Sequence, residues 1–238
     1  MKAAQRPQRP LWAAAILLAV IGIAVVMRRA AALVPILING YRPPAASNPV
    51  GAQFAALDDL FARYPALTLI HIIPGLLFMV LGPLQFSATL RARHPHWHRW
   101  SGRVYLICSL IIGASALVMS IGMPAIGGIT QAIATTLFAL LFLFALGRAY
   151  WSVRRRKIAQ HREWTIRAFA IGLAVATIRP IIGVFFATSR LSGLTPAAFF
   201  GIAFWIGFVL HLLAAELWIR WTRPARRAVA RLAAARLE

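Results

Sequence analysis

Two short segments of the sequence place histidine and arginine together at the start of a long apolar run. The first reads His98-Arg99-Trp100-Ser101-Gly102-Arg103, and the second reads His161-Arg162-Glu163-Trp164-Thr165-Ile166-Arg167. In each segment a His-Arg pair is followed by a further arginine in the first turns of a predicted helix. Backbone amides at a helix N-terminus favour anions, and nearby arginines strengthen that field. The pattern therefore predicts a site for an anionic group.

We expect the two segments to converge on one site at the same end of the molecule. Arg103 and Arg167 should be the most buried of its arginines and should reach a shared acceptor. Close like charges repel each other, so a negative group should lie among these arginines. Glu163, Glu216 or a bound anion would supply the negative charge. In the alternative, the arginines satisfy the positive-inside rule and touch only lipid phosphate. The candidate binding residues of this site are Gln85, His98, Arg99, Arg103, Tyr105, His161, Arg162 and Arg167.

A second candidate site lies within the apolar runs themselves, where ionisable residues are costly and therefore suggest function. His71 and Arg179 are predicted at similar depths and would suit an anionic visitor such as a carboxylate or a haem propionate. Arg179 should then be buried and paired within the bundle. The alternative is a structural role. His71 would hydrogen-bond backbone groups that Pro74 leaves without a helical partner, and Arg179 would hydrogen-bond carbonyls that Pro180 leaves unpaired.

Haem b is a candidate cofactor and quinone is another. A haem held by His71 and His211 is disfavoured, because their predicted depths differ by about 12 Å. His98 and His161 share a level and would be the metal ligands if haem is bound. Both lie at the membrane interface, however, which departs from the b-type membrane cytochromes that such histidine pairs superficially resemble.

The sequence offers little support for disulfide bonds, cysteine zinc sites or enzyme catalysis. Cys108 is the only cysteine, which excludes an intramolecular disulfide and a zinc site built from cysteines. Nucleophile motifs, phosphate-binding glycine loops and closely spaced carboxylate pairs are also missing from the sequence. We therefore predict no catalytic residue, and a non-enzymatic role is favoured.

Composition identifies the elements that must position these residues. The chain has 238 residues, of which 61% are hydrophobic and 13% are charged. Soluble domains contain about 25% charged residues, so an ordinary soluble protein is excluded, and so is a disordered one. A net charge of +21 first suggests nucleic acid. Because the basic residues form short clusters between long apolar runs, we predict a polytopic membrane protein with no nucleic-acid partner.

Six segments are long enough to cross a hydrocarbon layer of about 30 Å. The predicted fold is all-α, a bundle of six transmembrane helices that forms one integral membrane domain over residues 1–238. Because Arg28 and Arg29 follow the first span in place of a cleavage site, we expect that span to be uncleaved. The predicted spans are 11–27, 66–87, 104–123, 129–151, 164–187 and 198–219.

The segments outside the spans have distinct patterns. Residues 28–65 are predicted to be an external loop that carries a short amphipathic helix, with Phe54, Leu57, Phe61 and Tyr64 on its apolar face. Asp58 and Asp59 would face water. Residues 220–238 form a basic tail suited to anionic lipid.

Basic residues also predict the orientation. In the six-span arrangement 20 Lys and Arg residues lie on one side and 5 on the other. The positive-inside rule then places both termini in the cytoplasm, in a multi-pass protein of the bacterial cytoplasmic (inner) membrane. The expected partners are the lipid bilayer and its anionic lipids.

Four short motifs carry a resemblance to a known family. They are His71-x-x-x-Gly75, Gly82-Pro83-Leu84-Gln85-Phe86, His98-Arg99-x-x-Gly102-Arg103-x-Tyr105 and His161-Arg162-x-Trp164-x-x-Arg167. On these residues the chain resembles a family of predicted bacterial membrane proteins catalogued only as a domain of unknown function. The resemblance implies a multi-span membrane protein and supplies no reaction, substrate or site.

Three functions remain open on the sequence. The first is an accessory membrane protein whose His/Arg cluster binds an anionic headgroup or cofactor. The second is a redox protein that holds haem b or quinone through its histidines. The third is a small-molecule transporter, which the scarcity of carboxylates within the spans makes weaker.

Overall fold

The computed structural model describes residues 8–41 and 58–234, with side chains for 12–41, 58–189 and 191–223. Helices account for almost all of these residues, and no strand occurs among them. Residues 58–62 are also helical. In chain order the helices are α1 (Gln8–Asn39), α2 (Pro65–Gln85), α3 (Ala88–Arg93), α4 (Pro95–Gly122), α5 (Gly128–Arg154), α6 (Ile158–Ser192) and α7 (Pro196–Ala234).

Six of these helices, all but α3, are long and apolar enough to cross a membrane. This confirms the predicted all-α fold with six spans. Helices are favoured in hydrocarbon because every backbone polar group must be bonded within its own segment. Proline is favoured in the first helical turn, and α2, α4 and α7 begin at Pro65, Pro95 and Pro196. Gly193 ends α6 in the left-handed conformation, at φ +66°.

The first span is longer than the sequence predicted. Helix α1 continues to Asn39, well beyond the expected boundary at residue 27, so the predicted loop 28–65 is helical over its first part. Arg28 and Arg29 lie within this helix, and Asp58 pairs with both of them. Phe54 and Leu57, which were assigned to the amphipathic helix, lie outside the described residues.

The bundle has two ends that differ in charge. Trp12 of α1 contacts Phe86, with 5.8 Å between ring centroids, and Arg223 of α7 bonds Glu163 of α6. These contacts bring together the first turns of α1 and α6 and the distal parts of α2 and α7. We call this the basic end, and we call the opposite end, where Arg29 meets Asp58, the loop end.

Helix α6 lies at the centre of the bundle. Ala168 and Ala174 on this helix are fully buried. Gly172 lets the bundle close tightly, because a Cβ at that position would lie 2.4 Å from Cζ of Phe78 on α2. Each span packs against the next, and α1 also contacts α6 while α5 contacts α7. The central helix is therefore the one best placed to present side chains to an internal site.

Candidate functional site

A cavity of about 260 Å³ lies in the loop-end half of the bundle and is bordered by all six spans. Most of its wall is apolar. The wall includes six phenylalanines and three methionines: Phe61, Phe78, Phe138, Phe142, Phe204, Phe208, Met79, Met119 and Met123. The polar side chains on the wall are Arg29, Thr68, His71, Ser120, Gln131, Thr135 and Arg179. The structure thus places both residues of the second candidate site, His71 and Arg179, on one cavity.

All three hydroxyl groups on this wall already donate a hydrogen bond within the protein. Thr68, Ser120 and Thr135 donate to backbone carbonyls at 3.4, 2.9 and 2.9 Å. Gln131 accepts from the Gly127 amide through its side-chain oxygen at 2.7 Å. The groups left to meet a ligand are the two arginines, the side-chain NH2 of Gln131 and the imidazole of His71, and the imidazole alone among them can offer a nitrogen lone pair.

Arg179 is half-buried on the cavity wall. It lies ten residues before Ser189, or about 15 Å along the helix, which is about half the thickness of a hydrocarbon layer. Within the described part of the chain its guanidinium makes no hydrogen bond and no ion pair. Neither the expected partner within the bundle nor a bond to a carbonyl freed by Pro180 is found among these residues.

The pairing of the carboxylates explains why Arg179 has no ion-pair partner among the described residues. Four of the five carboxylate side chains in the sequence lie among the described residues, and each of the four pairs with a different arginine. The fifth, Glu238, lies outside the described residues. The loop end therefore holds more cationic groups than anionic ones, and Arg28 and Arg29 both repel Arg179 electrostatically.

Arg29 closes the loop end of the cavity. Its Nη1 lies 2.7 Å from Oδ1 of Asp58 but is not aligned for a hydrogen bond to it. Its guanidinium carbon stacks over the ring of Phe61 at 4.3 Å, a cation–π contact. Asp58 and Asp59 remain partly exposed, with 33% and 26% of their side chains accessible, so both meet water as predicted. Each also has protein partners: Asp58 pairs with arginine, and Asp59 accepts from Tyr41 and pairs with Arg63 at 2.9 Å.

The hydrogen bonds around His71 favour one tautomer. Its Nδ1 lies 2.9 Å from Oγ of Ser115 on α4. Ser115 Oγ also lies 2.6 Å from the Ile111 carbonyl and 3.1 Å from the Ile112 carbonyl, so we assign its single hydroxyl hydrogen to a carbonyl and its oxygen as the acceptor from the imidazole. Nδ1 therefore carries the hydrogen and Nε2 keeps a lone pair. The sequence alternative, in which His71 bonds backbone freed by Pro74, is not what the structure shows.

Ion pairs within the protein dominate the basic end. Arg167 forms two hydrogen bonds to Glu216, at 2.5 and 3.0 Å. Arg223 forms two to Glu163, at 2.7 and 2.6 Å. Arg162 donates to Thr222 at 3.4 Å. Glu163 and Glu216, the predicted counter-charges, thus join α6 to α7.

Arg103 does not share an acceptor with Arg167. It is exposed, as is Arg99, so the expectation that Arg103 and Arg167 would be the most buried arginines is wrong for Arg103. The helix α4 turns this side chain outward while its neighbour Gly102 faces Gln85. Gln85 donates to Ser101 at 3.0 Å and so joins α2 to α4.

The two rim histidines do approach each other. His98 and His161 are near enough to interact electrostatically. Nδ1 of His161 donates to the Ala149 carbonyl at 2.9 Å, and Nδ1 of His98 is buried without a hydrogen-bond partner in the described residues. Tyr105 is buried with its ring stacked on Phe78 at 5.0 Å, away from the arginines.

Comparison with known proteins agrees with this architecture. The family described as "Predicted membrane protein (DUF2306)" matches residues 68–219, which is more than half of the chain. The chain belongs to this family. No curated protein and no solved structure matches it. The matched region runs from α2 to α7, so it contains His71 and Arg179 and leaves out α1.

This DUF2306 protein also uses residues that sequence reasoning did not select. Arg29 was assigned to a loop, although the apolar run Ala30–Asn39 that follows it would have indicated a continuing helix. Ser115 fixes the imidazole of His71 and gave no sequence signal, because an isolated serine in an apolar helix has many roles. Within the described residues, no group of three or more His, Cys, Asp or Glu side chains could hold a metal ion.

Proposed function

We propose that this DUF2306 protein is a membrane-embedded binding protein for a small amphiphile whose head group carries an electron-rich oxygen. The observation that carries this proposal is Arg179, a guanidinium that faces an apolar cavity without an ion pair among the described residues. An arginine at the middle of a membrane costs about 2.5–3.5 kcal/mol to insert. A ligand oxygen on Arg179 would offset that cost.

The size of the cavity limits the ligand. Apolar cavities of about 150 Å³ hold one benzene ring. A volume of about 260 Å³ suits one ring or a short chain with its head group, and it is small for a haem macrocycle. The haem hypothesis is therefore weaker here than that of a smaller amphiphile. The rest of the ligand would extend beyond the cavity toward lipid.

The basic end supports a ligand less well. Three of its arginines bond to protein groups, and Arg99 and Arg103 are exposed at the surface, where lipid phosphate is their natural partner. We propose that this end faces the cytoplasm of a bacterium, as the distribution of basic residues favours. The cavity then lies in the external half of the cytoplasmic membrane.

The direct test is thermal unfolding of the protein purified in detergent. The probes are decanoate, a decyl-substituted benzoquinol and, as a head group of opposite charge, decyltrimethylammonium. A ligand present at about a hundred times its Kd stabilises the folded state by about 2.7 kcal/mol. For a chain of this size that corresponds to a rise in Tm of about 5–10 °C.

Two variants locate the effect. Arg179→Leu should abolish the rise in Tm with either oxygen-bearing probe, because it removes the cation from the cavity. Arg91→Leu is the matched control, since Arg91 is exposed on α3 at the other end of the bundle, and it should keep the full response. Equal stabilisation by decyltrimethylammonium, or an undiminished response in Arg179→Leu, would contradict the proposal.

A further inference from the structure

We infer that the ligand of this cavity is a quinol, a ring with a hydroxyl donor on one side and an oxygen acceptor on the other. The inference rests on the proposed function and specifies its ligand. It follows from two groups on the cavity wall that need opposite hydrogen-bonding partners, one an acceptor and the other a donor. Arg179 offers only hydrogen-bond donors, whereas His71 offers an acceptor.

The acceptor character of His71 comes from its neighbours on α4. Ser115 receives the Nδ1 hydrogen, and the Ile112 carbonyl interacts with the same imidazole. The Ser115 oxygen at 2.9 Å holds the hydrogen on Nδ1, which leaves a lone pair on Nε2. Nε2 makes no hydrogen bond to the described residues.

A carboxylate amphiphile meets only half of this requirement. An ionised carboxylate accepts hydrogen bonds and cannot donate one. It would pair with Arg179 and leave Nε2 of His71 unsatisfied or opposed to a second lone pair. A quinol hydroxyl donates to Nε2, and the oxygen across the ring accepts from Arg179. Both polar groups are then satisfied by one neutral ligand.

The apolar part of the wall also favours a ring. Phe78, Phe138 and Phe142 form the floor of the cavity toward the basic end, and Phe138 stacks on Phe208 with centroids 4.5 Å apart. Phenylalanine edges and faces pack well against a flat ring, and methionine sulfur does so too. Met79, Met119 and Met123 line the same space. An aromatic head group fits these surroundings better than an acyl chain.

The test changes the ligand first, so that it does not depend on any variant folding. Binding of a decyl-substituted benzoquinol to the full-length protein in detergent is compared with that of its dimethyl ether and of decanoate. The dimethyl ether keeps the ring and the acceptor oxygens and lacks the donor. We expect the quinol to bind about tenfold more tightly than the ether and than decanoate, as measured by calorimetry.

Two histidine variants test whether the preference for the quinol over its dimethyl ether comes from His71. His71→Leu should bind the quinol no better than its dimethyl ether. His211→Leu is the control, because His211 bonds Thr177 at 2.7 Å and does not line the cavity, and it should keep the tenfold preference. Equal affinity for quinol and ether in the unchanged protein would overturn the inference. If decanoate binds best and still requires Arg179, the inference fails while the proposed function stands; if no probe requires Arg179, both fail.

Discussion

The pair between Arg167 and Glu216 allows a quantitative test of how the basic end is held. Two charge-assisted hydrogen bonds join these side chains, and each such bond contributes about 1.5–3 kcal/mol. The side chain of Arg167 is 16% exposed and that of Glu216 is 34% exposed. Breaking a buried pair costs about 3–5 kcal/mol and breaking an exposed one about 0–1 kcal/mol. For this intermediate exposure we expect a loss of about 2–3 kcal/mol in Arg167→Leu or Glu216→Leu.

The double variant decides whether this loss comes from the pair. Removing both charges leaves no unpaired group, so Arg167→Leu with Glu216→Leu should lose little more than either single change. The coupling energy of the cycle is then about 2 kcal/mol. The assay is unfolding by dodecyl sulfate in mixed micelles, followed by circular dichroism.

An exposed pair in the same molecule serves as the reference. Arg63 and Asp59 are one turn apart at the loop end, and the Arg63 side chain is 62% exposed. Pairs of this kind couple by about 0.5 kcal/mol or less. A coupling between Arg167 and Glu216 no larger than the one measured at Arg63 and Asp59 would refute the argument. Arg167 would then be free for a bound anion, as the sequence first suggested.

Two further predictions concern packing and orientation. Gly172→Ala should destabilise the protein by about 1–3 kcal/mol in the same assay, because the added Cβ would lie 2.4 Å from the Phe78 ring; Gly147→Ala, with no atom within 4 Å, should be neutral or stabilising by up to about 1 kcal/mol. Reporter fusions after residues 95 and 157 should read cytoplasmic and fusions near residues 45 and 192 external, and a cytoplasmic signal at residue 45 would contradict the positive-inside assignment.

The number of spans was predictable because the bilayer sets a minimum length for any apolar helix. The end of α1 was mispredicted, because Arg28 and Arg29 resemble a membrane boundary and their partner Asp58 lies far away in the sequence. Arg29 and Asp58 are separated by a loop, and nothing local to Arg29 shows that its charge is neutralised. The positive residues therefore appeared to stop a helix that in fact continues to Asn39.

The candidate site was predictable in part for a different reason. Depth along a helix follows from counting residues, so His71 and Arg179 could be placed at similar levels. Rotation about the helix axis does not follow, because helices that are apolar on all faces give no sign of which side turns inward. Arg103 follows the histidine of its motif by five residues and Arg167 follows its own by six, an offset of about 100° around a helix, and one is exposed whereas the other bonds Glu216.

The wall that α1 contributes to the cavity has an evolutionary consequence. The family match begins at residue 68, so the matched region contains His71 and Arg179 but not Arg29 or its neighbours Gly22, Val25 and Val26. Two members that share α2 to α7 and differ in the preceding helix would have cavities of different charge and width. A change confined to α1 would therefore alter the charge and width of the cavity without touching His71 or Arg179.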